Sequence, residues 1–372
     1  MSASRDIVVV GAGIVGCAVA YELARRGASV DVIDMRAAGM GATQASAGVL
    51  APYIEATEGS ALLDLTTRSL DLFDDFVASV SIDSAVSIPY RRTGTLDVAL
   101  DEAAMRGFRA TAERLVGRGV TAEIVDRAGI HEQEPHLADG AIGGLLIPQH
   151  GYVSAPELTR ALAVASRRRG AQIIEHGAVR GIARDGDGVT VETDRGSLIG
   201  DAVVLAAGSW SASIAIDGVS RRMPLRPVRG QLLHLGWQGT PLRRVTWSPH
   251  CYLVPWDDGT LLVGATAEEA GFDERTTAAG VRGLLEAACT LLPHASGAAF
   301  LGARVGLRPA SSDGLPILGA SRVIPNLMYA TGHYRNGILL APLTAKLVAD
   351  AMLDGRIDPV LASVSPQRFG DL

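Results

Sequence analysis

The chain has 372 residues, 48% hydrophobic and 20% charged, which excludes an intrinsically disordered protein and predicts two domains. Its net charge of -6, from 34 basic and 40 acidic residues, argues against a general nucleic-acid binder. The cysteines, Cys17, Cys251 and Cys289, are odd in number and widely spaced. They indicate neither a disulfide framework nor a metal site, and they favour a reducing, cytoplasmic compartment.

A βαβ unit is predicted near the start of the sequence. The β-branched run 7–10 predicts a strand that is buried on both faces of a parallel sheet. Gly11, Gly13 and Gly16 follow in the GxGxxG pattern, in which a tight turn and a helix N-terminus receive a pyrophosphate. Asp34 ends the next predicted strand, where a carboxylate can accept hydrogen bonds from a ribose. The sequence therefore predicts dinucleotide binding.

Other stretches of the chain extend the same pattern. The apolar run 7–24 is interpreted as the strand, turn and helix just described and not as a membrane span. A second unit, 150–210, predicts a helix, a small meander and a buried strand at 202–205 that rejoins the parallel sheet beside the first strand. A third unit, 327–353, predicts a strand, a turn and a helix whose N-terminus lies where open α/β sheets bind ligands.

The intervening segments predict a different sheet. Long, partly alternating strands are expected at 91–100, 225–236, 246–256, 260–266 and 300–308, with helices at 61–79 and 101–118 packed around them. The predicted fold class is α/β (α+β overall), with a Rossmann-type dinucleotide-binding domain interleaved with an antiparallel-sheet substrate-binding domain. The first domain is assigned to 1–85, 150–222 and 320–372, and the second to 86–149 and 223–319.

A family pattern is carried by segments spread along the whole chain. They are VVVGAGIVG at 8–16, GATQASAG at 41–48, VLAAGSW at 204–210, PVRGQ at 227–231, HCYLVPW at 250–256, GLRPASSDGLPILG at 306–319 and TGHYRNGILLAP at 331–342. With these segments the sequence resembles the glycine oxidase group of the D-amino-acid oxidase-like flavoproteins. The last two segments are the most specific.

The resemblance implies a bound FAD. Relatives of the sarcosine-oxidase type attach the flavin through a cysteine near the position of Arg308, and no cysteine lies between 290 and 372 here, so non-covalent FAD is expected. The implied contacts are the pyrophosphate turn (Gly11, Ala12, Gly13, Ile14, Val15, Gly16), the ribose segment (Asp34, Met35, Arg36), the flavin-lining loop (Thr43, Gln44, Ala45, Ser46, Ala47, Gly48), the adenine contact (Val179), a closing pair (Gly208, Trp210) and the flavin-facing turn (Gly332, His333, Tyr334, Arg335, Asn336, Gly337, Ile338).

The resemblance also implies catalytic residues. Arg308 would clamp the substrate carboxylate, because its planar fork binds a carboxylate through two hydrogen bonds. Tyr252 would donate its hydroxyl to the same carboxylate, and Arg335 would contact substrate or flavin. Without the family pattern, a structural ion pair would explain Arg308 and a half-buried strand aromatic would explain Tyr252.

This sequence departs from its relatives at two functional points. Sarcosine-oxidase-type relatives place a lysine beside the flavin for the reaction with oxygen, but the single lysine here, Lys346, is well inside the last predicted helix. Another cation, such as His250, would have to serve if oxygen is the acceptor. Ala267 stands where some glycine oxidases carry a larger apolar residue, so the pocket is expected to accept substrates larger than glycine.

The expected activity is oxidative deamination of glycine or another small amino acid or amine, with oxygen as acceptor and hydrogen peroxide as product. Within the same fold, an oxidase acting on sarcosine, proline or a D-amino acid remains an alternative, as does a dehydrogenase with another acceptor. An RNA-modifying flavoenzyme is disfavoured by the acidic charge balance. No nucleic-acid or membrane partner is expected, and a homo-oligomer stays open.

Overall fold

The computed structural model describes residues 6–55 and 60–372, and its strands form four sheets. The six-stranded sheet runs in the order β20 (Ile317–Ala320), β21 (Leu327–Thr331), β13 (Ala202–Leu205), β1 (Asp6–Val10), β2 (Ser29–Ile33) and β9 (Gln172–Ile174). The eight-stranded sheet runs β19 (Ala299–Ser311), β15 (Leu225–Gly236), β18 (Thr260–Gly264), β17 (Tyr252–Pro255), β16 (Val245–Trp247), β5 (Thr95–Ala99), β7 (Gly143–Ile147) and β6 (Glu123–Asp126).

Two small sheets and the helices complete the fold. The four-stranded sheet is β12 (Gly196–Gly200), β11 (Gly188–Thr193), β10 (Val179–Asp185) and β14 (Ala215–Ile216), and the three-stranded sheet is β3 (Val49–Leu50), β8 (Gly151–Val153) and β4 (Tyr90–Arg91). The helices are α1 (Ile14–Arg25), α2 (Pro52–Glu55), α3 (Ala61–Asp71), α4 (Phe73–Ser84), α5 (Glu102–Val116), α6 (Arg127–Gln133), α7 (Ala155–Arg168), α8 (Ala278–Leu291), α9 (Gly337–Leu353) and α10 (Leu361–Val364).

The six-stranded sheet lies between two layers. Successive residues of a strand point to opposite faces. Ile7 and Val9 therefore join the core under helices α1, α7 and α9, whereas Val8 and Val10 join the core under the four-stranded sheet. Strand β13 pairs in parallel with β1, so the prediction that the 202–205 strand rejoins the first one is confirmed.

The helix predicted at 61–79 was wrong in length and in position. The chain forms two helices, α3 and α4, joined at Leu72. The bend brings Leu70 and Phe73 into the same core as α1 and α9, where they are 3% and 0% exposed. These helices therefore pack on the helical side of the six-stranded sheet, whereas α5 packs on the eight-stranded sheet as predicted.

The eight-stranded sheet is antiparallel except for the parallel pair β16 and β5. The single strand predicted at 246–256 was wrong, since a turn at 248–251 divides it into β16 and β17. Pro249 cannot donate a ladder hydrogen bond, and the Ser248 amide closes the turn by donating to the Cys251 carbonyl over 2.8 Å. This turn places Tyr252 at the start of β17.

The chain crosses between the two large sheets several times, as the predicted interleaving requires. Strands of the six-stranded sheet come from near residues 6–33, 172–205 and 317–331, and strands of the eight-stranded sheet come from the stretches between. The exact domain boundaries stay a prediction. Within residues 6–55 and 60–372, no helix is long and apolar enough to cross a membrane, and no cluster of histidine, cysteine or acidic side chains could hold a metal ion.

Candidate active site

A deep cleft separates the six-stranded sheet from the long strands β15 and β19. It has an empty volume of about 1380 Å³, including its open mouth. Val10, Ile33 and Ala206 line it, and each lies at or just beyond the carboxyl end of a parallel strand. Open α/β sheets bind ligands at this edge, so the cleft is the candidate active site.

The cleft brings together most of the residues singled out in the sequence. Lining it are Gly11, Gly13, Ile14, Val15, Asp34, Met35, Arg36, Thr43, Ala45, Ser46, Val179, Gly208, Trp210, Arg308, His333, Tyr334, Arg335, Gly337 and Ile338. The other predicted residues do not line it, namely Ala12, Gly16, Gln44, Ala47, Gly48, Tyr252, Gly332 and Asn336. Seven of these eight belong to the same segments as lining residues and shape the wall behind them, whereas Tyr252 is partly exposed at the start of β17 in the eight-stranded sheet.

The three glycines of the first turn are needed for different steric reasons. Gly11 has a φ of +109°, and a Cβ there would collide with the Ala206 carbonyl. A Cβ on Gly16 would collide with the Gly11 carbonyl, so Gly16 lets α1 pack against the turn. A Cβ on Gly13 would meet only the Thr43 side chain, at 3.5 Å, so this residue leaves its backbone open to a close-lying phosphate.

Two side chains hold the start of α1. Asp34 accepts hydrogen bonds from the amides of Ala12 at 2.7 Å and Arg36 at 2.8 Å. Burial raises the pKa of the Asp34 carboxyl, and the two amides oppose that rise. The Thr43 hydroxyl accepts from the Ile14 amide at 3.1 Å. Asp34 and Thr43 thus fix the turn while both still line the cleft.

The small-residue loop forms part of the wall through contacts behind the cleft. Gln44 donates from Nε2 to the Val305 carbonyl at 2.6 Å, which ties the 42–45 turn to β19. Gly48 has a φ of +71°, and a Cβ there would collide with the Val153 carbonyl. These contacts explain why Gln44 and Gly48 lie behind Ala45 and Ser46 instead of facing the cleft.

A cluster at the mouth of the cleft joins the two large sheets. The Arg36 guanidinium lies 4.5 Å from the ring centre of Trp210 and pairs with both carboxylate oxygens of Glu274, at 2.6 and 2.9 Å. Phe272 packs on Trp210 with ring centres 5.8 Å apart. Sequence reasoning found Arg36 and Trp210 but missed Phe272 and Glu274, whose segment carries no local motif. We call these four residues the rim cluster.

Arg308 extends over a glycine of the neighbouring strand. A Cβ on Gly230 would fall against the whole guanidinium, 2.5 Å from Nη1, so only glycine leaves room for Arg308 in this position. Nη1 also donates to the Thr266 carbonyl at 2.9 Å. The arginine is therefore positioned by β15 on one side and by the segment after β18 on the other.

The Tyr252 ring also lies over a glycine of the neighbouring strand. A Cβ on Gly264, its partner on β18, would collide with the Tyr252 ring and hydroxyl. Gly264 pairs with Leu232, which is two residues from Gly230 along β15, so both glycines lie on one face of the sheet. Diagonal neighbours in a sheet lie about 7–8 Å apart. The Tyr252 hydroxyl and the Arg308 guanidinium are thereby directed to adjacent places on the same face.

The last turn brings a helix terminus to the cleft. Tyr334 has a φ of +49°, and its amide donates to the Pro309 carbonyl at 3.0 Å, which attaches the turn to β19. Gly337 and Ile338, the first residues of α9, line the cleft, and Arg335 is exposed at it. The positive end of the α9 dipole therefore faces the cleft.

His333 and Lys346 occupy structural positions. His333 is 4% exposed and shares a hydrogen bond of 3.0 Å with the Thr344 hydroxyl, and burial lowers the pKa of its imidazole to about 4. Lys346 forms an ion pair with Asp350 within α9. His250, in contrast, is exposed in the turn just before Tyr252.

Several lining residues were missed as individual residues, although most lie in the segments that carry the family pattern. Among them are Ala42, Ser209, Ile214, Gly230, Gly306 and Thr331. A Cβ on Gly306 would come within 3.0 Å of the Ala42 Cα, so the close packing of the 42–45 turn on β19 requires glycine there. The available signal was a glycine inside a predicted strand, Gly230 in 225–236 and Gly306 in 300–308, which often marks the close approach of another group.

These residues fit an extended dinucleotide. The bare turn at Gly13, the Asp34 carboxylate and the start of α9 line one continuous cleft. The fold and the site together define a dinucleotide-binding protein of the open α/β class. The chain belongs to the family described as FAD dependent oxidoreductase, whose sequence pattern matches residues 6–351. Its cofactor is FAD.

The similarity of individual proteins to this chain supports the family assignment. The bifunctional protein ThiO/ThiG of Nostoc sp. (strain PCC 7120) is 35% identical over 367 residues, which is 96% of this chain and 54% of that protein, so the chain spans about half of that relative's length. The glycine oxidase of Geobacillus kaustophilus is 34% identical over 352 residues, 94% of this chain and 93% of that one. The crystal structure of glycine oxidase from Geobacillus kaustophilus matches with a TM-score of 0.93 at 33% identity, covering 98% of this chain and 99% of that one.

Proposed function

We propose that this protein catalyses the oxidative deamination of glycine or another small amino acid, by hydride transfer from Cα to N5 of the flavin. The proposal depends chiefly on one observation. Arg308 and Tyr252 lie on the same face of the sheet, and each side chain lies over a glycine of the neighbouring strand. The similarity to glycine oxidases over nearly the full chain supports the same activity.

Arg308 and Tyr252 would hold the substrate carboxylate. A guanidinium binds a carboxylate through two parallel hydrogen bonds, and such charge-assisted bonds are stronger than neutral ones. The hydrogen bond from Nη1 to the Thr266 carbonyl helps to fix the orientation of the Arg308 guanidinium. The Tyr252 hydroxyl would add a donor from the adjacent strand. Binding at two points fixes the orientation of Cα, which supplies a large part of the rate acceleration.

The remaining chemistry needs no carboxylate base. Among the described residues that line the cleft, Asp34 is the only acidic one, and it is engaged with the start of α1. We propose that the substrate amine binds neutral, so that its lone pair assists the departing hydride. When bound, FAD supplies the hydride acceptor. The positive end of the α9 dipole would stabilise negative charge that develops in the cleft.

The cofactor contacts are part of the same proposal. The turn at Gly11 to Gly16 would receive the pyrophosphate, and Asp34 would accept from the ribose. The flavin would lie against Ala45 and Ser46 and under the start of α9, without a covalent bond. The domains 1–85, 150–222 and 320–372, and 86–149 and 223–319, would bind FAD and substrate respectively.

The fate of the products completes the proposal. The imine would hydrolyse to an oxo acid and ammonia, and oxygen would reoxidise the flavin to give hydrogen peroxide. His250, exposed in the turn before Tyr252, is the side chain that we propose to assist this step, since Lys346 is paired within α9. Cytoplasmic localisation, as favoured by the cysteine usage, belongs to the same proposal.

The test is anaerobic mixing of the flavin-loaded protein with glycine while the visible flavin band is followed. Prompt bleaching that air reverses is the expected result. Bleaching that air does not reverse would indicate an electron acceptor other than oxygen. No bleaching with glycine, sarcosine or D-alanine would refute an amino-acid oxidase. The variant Arg308→Met, which retains the length of the side chain but no charge, should slow bleaching and raise the glycine concentration needed for it.

A further inference from the structure

The face of the sheet that carries Tyr252 continues to a carboxylate two strands away. Tyr252 pairs with Trp247 on β16, and Trp247 pairs with Asp97 on β5. Side chains of directly paired residues lie side by side on one face. Asp97, Trp247 and Tyr252 therefore form one row, which we call the tyrosine row. The Trp247 and Tyr252 rings are in contact, with centres 4.9 Å apart.

The tyrosine row is more exposed than the row beside it. In the next row of the same face, Val245 and Val254 are both 0% exposed, since the small three-stranded sheet covers them with Tyr152. All three members of the tyrosine row, in contrast, are partly exposed. Among the described residues, the cover over Val245 and Val254 therefore does not extend over the tyrosine row, and Tyr252, Trp247 and Asp97 each reach the protein surface in part.

The Asp97 carboxylate has no partner among the residues that the structure describes. Burial alone raises the pKa of this carboxyl to about 7, without any contribution from a neighbouring charge or hydrogen bond. Beside it, the Trp247 indole nitrogen is buried and makes no hydrogen bond with the described residues. A carboxylate that the fold partly desolvates without supplying a donor is destabilising unless water or a ligand supplies one.

We infer that Asp97 is a specificity-determining residue, which binds an ammonium group at the far end of a linear substrate whose carboxylate is held by Arg308 and Tyr252. This inference rests on the proposed function. Asp97 lies three strands from Gly264, so their Cα atoms are about 14 Å apart at the usual strand spacing. Glycine is too short to bridge that distance and leaves the carboxylate to water. A chain of several methylenes with a terminal ammonium spans it.

The test uses ligands that bind without being oxidised. The flavin-loaded protein is titrated with straight-chain carboxylates that end in a methyl, hydroxyl or amino group, such as hexanoate, 6-hydroxyhexanoate and 6-aminohexanoate. Amino carboxylates of four to eight carbons measure the reach. The shift of the visible flavin band reports binding. At the best length we expect the amino ligand to bind at least about tenfold more tightly than its methyl counterpart, since a charge-assisted hydrogen bond is gained.

Variants assign the preference to Asp97. Asp97→Asn keeps the size of the side chain and removes its charge, so the preference for the amino ligand should be lost. Glu123→Gln, an exposed position on the edge strand of the same sheet, is the matched control and should retain the preference. A preference that survives in Asp97→Asn overturns the inference. Should that variant fail to load flavin, equal binding of the three end groups by the wild-type protein overturns it.

The outcomes also separate this inference from the proposed function. Bleaching by glycine together with carboxylate binding that ignores the end group would refute only the role of Asp97. Binding that prefers the amino ligand without bleaching by any amino acid would retain the Asp97 site and refute the oxidase. If neither bleaching nor carboxylate binding occurs, both fail.

Discussion

A substitution at Gly230 tests how Arg308, the proposed anchor of the substrate carboxylate, is positioned. In Gly230→Ala the new Cβ would stand 2.5 Å from Nη1 of Arg308. Ordinary contact lies near 3.5 Å, so the guanidinium must move by about 1 Å. A displacement of that size in a substrate-positioning group costs about 100-fold, or about 2.7 kcal/mol of transition-state stabilisation. We expect kcat/KM for the preferred amino acid to fall by about this factor.

The assay is steady-state oxidation, with flavin content and thermal unfolding measured in parallel. Gly236→Ala is the matched control, because its Cβ would meet the Ala299 Cβ on the same pair of strands at 3.4 Å, an ordinary contact. The control should retain activity. If Gly230→Ala loads flavin and keeps kcat/KM within about threefold of wild type, Arg308 does not act as the carboxylate anchor that its position supports.

Two further predictions concern stability. Ser69 donates to the Leu339 carbonyl at 2.6 Å and accepts from the Leu343 amide at 3.3 Å, inside α9 beside Pro342. Ser69→Ala leaves both groups unpaired and should lower the free energy of unfolding, measured in urea, by about 1–3 kcal/mol. An unchanged unfolding midpoint would show that the Leu339 carbonyl and the Leu343 amide bond to each other when the hydroxyl is absent. Because the pKa of His333 is lowered to about 4, the unfolded chain binds its proton more readily, so stability should fall as pH decreases from about 6.5 towards 4. His333→Gln should flatten the pH dependence of unfolding over that window, and an unaltered slope would contradict the assignment.

Local chemistry explains what could be predicted from the sequence. Gly16 needs to be glycine because a Cβ there would collide with the Gly11 carbonyl of the same βαβ unit, and Asp34 follows on the adjoining strand. The division at 248–251 was missed because apolar residues resume at 251–255, although Ser248, Pro249 and His250 interrupt the pattern. The bend at Leu72 was missed because it depends on tertiary packing: it brings Leu70 and Phe73 into the core that they share with α9.

The arrangement of the substrate side depends on strand register, which the sequence alone does not reveal. Arg308 and Gly230 lie far apart in the chain, and only the pairing of β15 with β19 brings them together. The same holds for the rim cluster, in which Glu274 reaches Arg36 across the cleft. Asp97 carried no sequence signal, because an isolated acidic residue in a strand acquires meaning only from its neighbours on the finished sheet.

The interleaved chain path has a consequence for biosynthesis. Strand β13 pairs with β21, and more than a hundred residues separate them. During translation the edge of β13 stays without its partner until the ribosome has released residues 327–331, and the start of α9 closes the cleft only afterwards. Parallel pairing at such sequence separation is slow and leaves a strand edge open to other chains. The nascent protein is thus most exposed to aggregation just before it can retain its flavin.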